Sequence, residues 1–200
     1  MRKTRLAVFV SGSGTNLQAI IDAGIPTVEI VLVLSSNPDA YALERAKKHG
    51  IPAEAADHKN FPGRDEHEKH VLELLEPYDV DLIALAGFMR ILSPHFVRSY
   101  KNKIINIHPA LLPSFPGMHA AKQALESGVK FTGCTVHFVD EGVDTGPIIL
   151  QAVVPVRDDD DEESLLERIH EEEHRIYPEA LKFIASGKFR IEGKRVLAVS

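Results

Sequence analysis

The chain has 200 residues, 44% of them apolar and 26% charged, as in an ordinary globular protein that can bury a core in one domain. The formal net charge of −6 argues against non-specific binding to nucleic acid, which requires a basic surface. A single cysteine, Cys134, excludes a disulfide within the chain. The N-terminal apolar run LAVFV is too short for a signal-peptide core, and no apolar run is long enough for a membrane span. We therefore expect a cytoplasmic protein that contacts neither membrane nor nucleic acid.

The first half of the sequence alternates apolar runs, which predict strands, with amphipathic segments, which predict helices. In chain order these are LAVFV (6–10), TNLQAIIDAG (15–24), VEIVLVLSS (28–36), NPDAYALERAKKHG (37–50), IPAEAAD (51–57), GRDEHEKHVLELLEPY (63–78) and VDLIALAG (80–87). The last run is almost entirely apolar, as expected for a strand that is buried on both faces. This βαβαβαβ order predicts a parallel sheet with helices on both faces.

The second half continues with a short helix, for which Ser93 is the predicted N-cap and Pro94 the first residue. The further predicted elements are a strand KIINI (103–107), a helix HAAKQALESG (119–128), strands FTGCTVHFVD (131–140) and PIILQAVVPV (147–156), a helix over 158–187 and a hairpin FRIEGKRVLAV (189–199). The predicted fold class is therefore α/β, with a Rossmann-like, mostly parallel twisted sheet and antiparallel strands toward the C-terminal part.

The turn after the first predicted strand is rich in glycine and opens a helix. In SGSGTN (11–16) the backbone N–H groups and the positive end of the helix dipole would form an anion site, most naturally for phosphate. The dinucleotide fingerprint GxGxxG is incomplete, because Leu17 replaces the third glycine, and SSN (35–37) lacks the acid that would hold a ribose diol. The turn thus favours phosphate over NAD, and the alternative is a turn that only lets the helix pack.

An amide and an imidazole lie at the end of the fifth predicted strand. Residues i and i+2 of a strand point to one face, so Asn106 and His108 project together at an edge where open α/β folds bind ligands. The prolines of PALLPSFP (109–116) favour a stiff loop after them. Asp144 would favour the imidazolium form of His108 if its loop lies over that ring. Otherwise His108 is one of ten histidines and Asp144 is an ordinary turn residue.

The segment HEEEH (170–174) formally matches the HExxH zinc motif. The apolar stripe of its helix includes Ile169 and Ile176, and Glu173 falls on that stripe, whereas Glu171, the base in such a motif, does not. An acid on an apolar face costs free energy unless it is paired or meets a ligand. We therefore predict that Glu173 contacts a ligand's hydroxyl or amine groups, that the two histidines lie at the rim, and that no metal is bound.

Five blocks of the sequence resemble the phosphoribosylglycinamide formyltransferases, the folate-dependent enzymes of purine synthesis. In chain order they are SGSGTNLQAIIDA (11–23), DLIALAGFMRILSP (81–94), NIHPALLPSFPG (106–117), GCTVHFVDEGVDTGPIILQ (133–151) and EEEHRIYPEAL (171–181). The third block would also fit methionyl-tRNA formyltransferase and formyltetrahydrofolate hydrolase. The Gly-rich turn, the EHRIYP block and the absence of the extra domains of those two enzymes favour the glycinamide enzymes.

The resemblance implies a role for each matching position. The catalytic residues are Asn106, His108 and Asp144. The substrate's phosphate is held by Gly14, Thr15 and Asn16, and its ribose by Glu173. The folate cofactor is bound by Arg64, Met89, Arg90, Ile91, Leu92 and Asn106.

The implied reaction moves a formyl group from 10-formyltetrahydrofolate, a co-substrate, to the primary amine of glycinamide ribonucleotide. Its tetrahedral intermediate would be stabilised by Asn106 and by protonated His108 paired with Asp144. The implied architecture is a single formyltransferase domain over residues 1–200, with a phosphate-binding half at about 1–100 and a catalytic and folate-site half at about 101–200, in a monomer or homodimer. The residues alone leave open a nucleotide-binding protein without catalysis and, less favoured, a dehydrogenase.

Overall fold

The computed structural model describes residues 2–199, and the chain divides between Ile105 and Asn106 into two compact units. The elements of the first unit are β1 (Thr4–Val10), α1 (Thr15–Asp22), β2 (Val28–Ser35), α2 (Tyr41–Lys48), β3 (Ala53–Ala55), α3 (Arg64–Leu75), β4 (Leu82–Leu85) and α4 (Pro94–Ser99). Its strands are hydrogen-bonded in the order β3-β2-β1-β4, and each pair is parallel.

Strand β1 lies at the centre of the first unit. It pairs with β2 on one edge and with β4 on the other, and residues 6–10 are fully buried. A strand that is covered on both faces has no polar face to expose, which explains the unbroken apolar run LAVFV. All strands and helices of this unit fall within the segments predicted for them, apart from the first two residues of β1.

The strand β5 (Ile104–His108) spans the boundary between the units. The second unit continues with α5 (Ala120–Glu126), β6 (Phe131–Phe138), β7 (Ile148–Pro155), α6 (Glu162–Ala185), β8 (Phe189–Glu192) and β9 (Arg195–Ala198). Strands β6 and β7 are antiparallel, α6 packs on both of them, and β9 is parallel to β7 and antiparallel to β8. The predicted fold class, α/β with mostly parallel strands and antiparallel strands in the second half, is confirmed.

Two helix starts show how local side-chain chemistry sets element bounds. The Ser93 hydroxyl accepts a hydrogen bond from the Phe96 N–H and Pro94 is the first residue of α4, as predicted. Helix α6 begins at Glu162 and not at 158, because Asp161 caps it by accepting from the Ser164 N–H at 2.8 Å. No helix within residues 2–199 is both long enough and apolar enough to cross a membrane.

Candidate active site

The end of β5 and the loop between β6 and β7 bring the three predicted catalytic residues together in the second unit. His108 Nδ1 lies 3.4 Å from Asp144 Oδ2. Asn106 Nδ2 lies 3.2 Å from His137 Nε2, which is itself 3.6 Å from Asp144 Oδ1. Asp144 therefore sits between two histidines, and its loop lies beside His108, which is the condition under which its carboxylate could act on that ring.

The loop that follows β5 supplies backbone groups to the same cluster. His108 Nε2 donates a hydrogen bond to the Phe115 carbonyl at 2.8 Å, which fixes a proton on that nitrogen. The Gly117 N–H donates to Asp144 Oδ2 at 2.8 Å. The backbone of Phe115 is in the left-handed region with a φ of 55°, a conformation that residues other than glycine rarely adopt. The loop thus orients both the imidazole and the carboxylate.

The burial of His108 favours a neutral ring and not the protonated ring that was expected. His108 is only 5% exposed, and burial lowers the pKa of its imidazole below the ordinary value, although the Phe115 carbonyl and Asp144 act in the opposite direction. Asp144 was expected to keep this ring cationic, but desolvation outweighs it. At neutral pH the ring is therefore mainly neutral, with its second proton missing from Nδ1, the nitrogen beside Asp144.

Asp144 itself is ionised. Burial would raise the pKa of its carboxyl, but the neighbouring His137, the hydrogen bond from the Gly117 N–H and the nearby His108 together lower it below the ordinary value. A carboxylate that remains negative beside a neutral imidazole is ready to stabilise a proton that arrives at Nδ1.

His137 is the residue of this cluster that the sequence did not point to. It is 2% exposed, its Nδ1 donates to the Phe138 carbonyl at 2.9 Å, and its Nε2 accepts from the Asn106 amide. Its signal in the sequence is weak. It is a histidine one residue from the end of an apolar strand, at a break in the β6–β7 register, and nothing marks it among ten histidines.

Glu173 lies on the buried face of α6, as its place in the apolar stripe predicted. It is 4% exposed, between the buried residues Ile169 and Ile176. His170 is exposed. The pKa of the half-buried His174 lies below the ordinary value, mainly because the ring is partly buried and secondly because His170 is nearby. Among residues 2–199 no group of three or more His, Cys, Asp or Glu side chains could hold a metal ion.

The predicted phosphate turn forms the start of α1 in the first unit. Gly14 has a φ of +73°, and a Cβ at this position would lie 2.6 Å from the Ala42 Cβ, so both its conformation and the space require glycine. Thr15 is exposed and Asn16 is buried. No side chain caps this helix start, so the backbone donors of its first turn are available to an anion. Arg45 Nε donates a hydrogen bond to the Ser13 carbonyl at 2.8 Å and so stabilises the turn.

The predicted folate-binding positions also lie in the first unit, apart from Asn106. Arg64 Nη2 donates to the Ile91 carbonyl at 2.8 Å, which ties α3 to the segment 89–92. The side chains of Met89 and Ile91 are 77% and 68% exposed, and the Met89 N–H donates to the Ser11 hydroxyl at 2.9 Å. Arg64 is thus hydrogen-bonded to this segment. The backbone of the segment is held at Met89 and Ile91, while the side chains of these two residues face solvent.

Residues 4–181 match the model of the formyl transferase family, and the chain therefore belongs to that family. The phosphoribosylglycinamide formyltransferase of Escherichia coli (strain K12) is 43% identical over 190 residues, which are 93% of this chain and 89% of that protein. The crystal structure of glycinamide ribonucleotide transformylase 1 from Symbiobacterium toebii superposes with a TM-score of 0.96 at 49% identity, covering 99% of this chain and 95% of that one. Within the family the chain is thus placed among the phosphoribosylglycinamide formyltransferases, which confirms the resemblance carried by the five sequence blocks.

Longer relatives contain the same region. The trifunctional purine biosynthetic protein adenosine-3 of Drosophila melanogaster is 51% identical over 191 residues, which are 93% of this chain but 14% of that protein. The chain spans between 14% and 19% of the length of the trifunctional relatives that it matches.

Proposed function

We propose that the chain transfers a formyl group from 10-formyltetrahydrofolate to the primary amine of glycinamide ribonucleotide, a step of de novo purine synthesis. The observation that carries the proposal is the cluster of Asn106, His108 and Asp144 at the end of β5, in a chain 43% identical to a phosphoribosylglycinamide formyltransferase over 89% of that enzyme. A cytoplasmic location, as a monomer or homodimer acting on small molecules alone, accords with this activity.

The binding roles are divided among three sets of residues. The turn at Gly14, Thr15 and Asn16 receives the phosphate, because uncapped backbone donors and a helix dipole favour an anion. Glu173 accepts hydrogen bonds from the ribose hydroxyls. The folate donor contacts Asn106 together with Arg64 and the segment from Met89 to Leu92, where the exposed apolar side chains suit a flat ring system.

The reaction forms a carbon–nitrogen bond as the amine attacks the formyl carbon, and negative charge develops on the formyl oxygen. Donors aimed at such an oxyanion are the largest catalytic contribution in acyl transfer, about 3–4 kcal/mol for one donor. The Asn106 amide uses one N–H to hold His137 and can offer the other to the oxyanion. Its half-buried position suits contact with a ligand.

Neutral His108 takes up the proton that the attacking amine loses. The resulting imidazolium donates to the Phe115 carbonyl and to Asp144, and its charge stabilises the oxyanion. When the intermediate collapses, the bond to the folate nitrogen breaks and the proton passes to that nitrogen. The scheme needs no metal and no covalent bond to the protein.

A direct assay tests the proposal. Purified protein is mixed with glycinamide ribonucleotide and the folate donor, and deformylation of the folate is followed by its absorbance change. We expect turnover with both substrates, and a loss of roughly a hundred-fold or more in kcat for His108→Ala with the affinity for glycinamide ribonucleotide nearly unchanged. His95→Ala, which removes an exposed histidine on α4, is the matched control and should keep normal turnover. Nucleotide binding without deformylation would instead indicate a binding protein.

A further inference from the structure

A buried carboxylate lies on α3, outside the cluster described above. The side chain of Glu68 is 7% exposed, and its residue as a whole is 5% exposed. Carboxylates are rarely buried unless hydrogen bonds and a counter-charge compensate for the lost hydration. What Glu68 contacts therefore indicates what it is there to hold.

All the contacts of Glu68 run to the segment before α4 and to Arg64. Its Oε1 accepts from the Ser93 N–H at 2.7 Å, and its Oε2 accepts from the Ser93 hydroxyl. Its Oε1 also lies 3.3 Å from Arg64 Nε, one helical turn earlier on α3. Such charge-assisted hydrogen bonds are stronger than neutral ones.

The two residues together hold the segment from Met89 to Ser93 at two points. Arg64 Nη2 donates to the Ile91 carbonyl at 2.8 Å, and Glu68 holds Ser93 two residues further on. Because Arg64 is 43% exposed, its orientation depends on the buried carboxylate that it pairs with. Although its carbonyl is held, Ile91 remains 68% exposed.

We infer that Glu68 is a positioning residue for the folate donor, which sets the orientation of Arg64 and the shape of the segment 89–92. This inference rests on the proposed function, because that function makes Arg64 and the segment the donor's contacts. The carboxylate oxygens of Glu68 are engaged by Ser93 and Arg64, so Glu68 acts on the donor through these two residues. Its effect should therefore fall on the affinity for one of the two substrates and not on the chemistry at His108.

The substitution that tests this is Glu68→Gln, which keeps the side chain's shape but removes its charge. The amide oxygen, placed where Oε1 is, can still accept from the Ser93 N–H, but it is neutral and no longer offers a counter-charge to the Arg64 guanidinium. The amide NH₂ then faces the Ser93 hydroxyl. We expect KM for the folate donor to rise roughly ten-fold, with kcat and KM for glycinamide ribonucleotide within about two-fold of the unmodified protein. A purely structural role would instead lower the fraction of active protein and leave both KM values unchanged.

Glu73→Gln is the matched control, since Glu73 lies on the same helix but is 56% exposed and pairs only loosely with Lys69 at 4.0 Å. Its donor KM should not change. If Glu68→Gln fails to fold, Ser93→Ala replaces it. That change removes the hydroxyl's hydrogen bond to Glu68 and its cap on α4, but keeps the bond from the Ser93 N–H and the pair of Glu68 with Arg64. We expect about a three-fold rise in donor KM for Ser93→Ala.

A double-mutant cycle shows whether Glu68 acts through Arg64. If it does, Glu68→Gln combined with Arg64→Ala should be no worse in donor KM than Arg64→Ala alone. Additive effects, or an unchanged donor KM in Glu68→Gln, would overturn the inference while the unmodified protein still shows formyl transfer. Absence of transfer by the unmodified protein would overturn the proposed function and this inference with it.

Discussion

At the scale of single residues, the charge on His108 depends on which of two opposing effects prevails. Burial lowers the pKa of the imidazole, while the Phe115 carbonyl and Asp144 raise it, and burial is the larger effect. The proton that titrates is the one on Nδ1, because Nε2 already donates to Phe115. A neutral ring can therefore gain a proton only at Nδ1, which lies beside Asp144.

Asp144→Asn should change both the rate and its pH dependence. Without the carboxylate the His108 pKa falls further, so the limb of kcat/KM that rises with pH as His108 loses its proton should move to lower pH. The maximal rate should fall roughly a hundred-fold, because the imidazolium that forms in the reaction loses its counter-charge. A pH–rate profile of both proteins checks this. Movement of the alkaline limb alone would show that His108 must be charged before the reaction begins.

His137 is predicted to hold the Asn106 amide in place. In His137→Ala that amide loses its acceptor at 3.2 Å, and kcat should fall roughly ten-fold, about 1.4 kcal/mol, with little change in either KM. His137→Gln, whose amide oxygen can accept from Asn106, should recover part of the loss. Steady-state kinetics of the two variants beside His95→Ala provides the measurement, and an unchanged kcat in His137→Ala would contradict the role.

The sequence pointed to Asn106, His108 and Asp144 as candidate catalytic residues. It did not point to His137, and it did not indicate that the His108 imidazole would be neutral. Strand alternation makes the first two neighbours on one face, and this is a local property. The contact between Asn106 and His137 joins residues 31 apart and depends on the pairing of strands. The pKa of His108 depends on burial and on the carbonyl of Phe115, a backbone group that no side-chain pattern reveals.

At the scale of elements, the loop between β6 and β7 sets the position of Asp144. Asp144 has a φ of 54°, and Thr145 donates to Asp140 at 2.6 Å across the loop. Lys194, in the turn between β8 and β9, donates to Asp140 Oδ2 at 3.0 Å and also to the Thr145 carbonyl. The C-terminal hairpin, which carries no motif in the sequence, thus supports the loop of a candidate catalytic residue.

Gly146→Ala should disturb this loop through the backbone. A Cβ at Gly146 would lie 1.7 Å from the Phe138 carbonyl oxygen, so the end of β6 or the loop must shift. We expect a loss of about 2 kcal/mol in stability, a melting temperature lower by roughly 5 °C, and a kcat reduced at least ten-fold as Asp144 moves. Thermal denaturation and steady-state kinetics measure the two effects.

Gly142→Ala is the comparison within the same loop. The three atoms nearest to its Cβ would all belong to the side chain of Thr145, whose hydroxyl can rotate away at the cost of its hydrogen bond to Asp140. Because no backbone atom is among them, its effects should be smaller. Equal losses for both variants would show that the loop tolerates no change at either glycine and that the contact with Phe138 is not the controlling one.

At the scale of the whole molecule, the sequence predicted the elements better than their arrangement. Period and composition placed each strand and helix, because those are properties of neighbouring residues. The parallel pairing of Ile148 with Arg195 joins residues far apart in the chain, and nothing in the tail indicates it. The predicted division near residue 100 into a phosphate-binding half and a catalytic half stays a prediction.

Cys134 provides a probe of the whole fold, because it is the chain's single cysteine and is fully buried. Burial, with smaller contributions from Glu173 and Glu172, raises the pKa of its thiol to about 12. Only the thiolate reacts with disulfide reagents, so the folded protein should react only through unfolding or opening of the second unit. At pH 8 we expect the thiol to be labelled roughly a thousand-fold more slowly in native buffer than in denaturant. Labelling at the denatured rate in native buffer would show that β6 opens readily.

The variant Cys134→Ala should retain turnover, because the proposed reaction forms no covalent intermediate with the protein. Loss of turnover in this variant would contradict the scheme without a nucleophile.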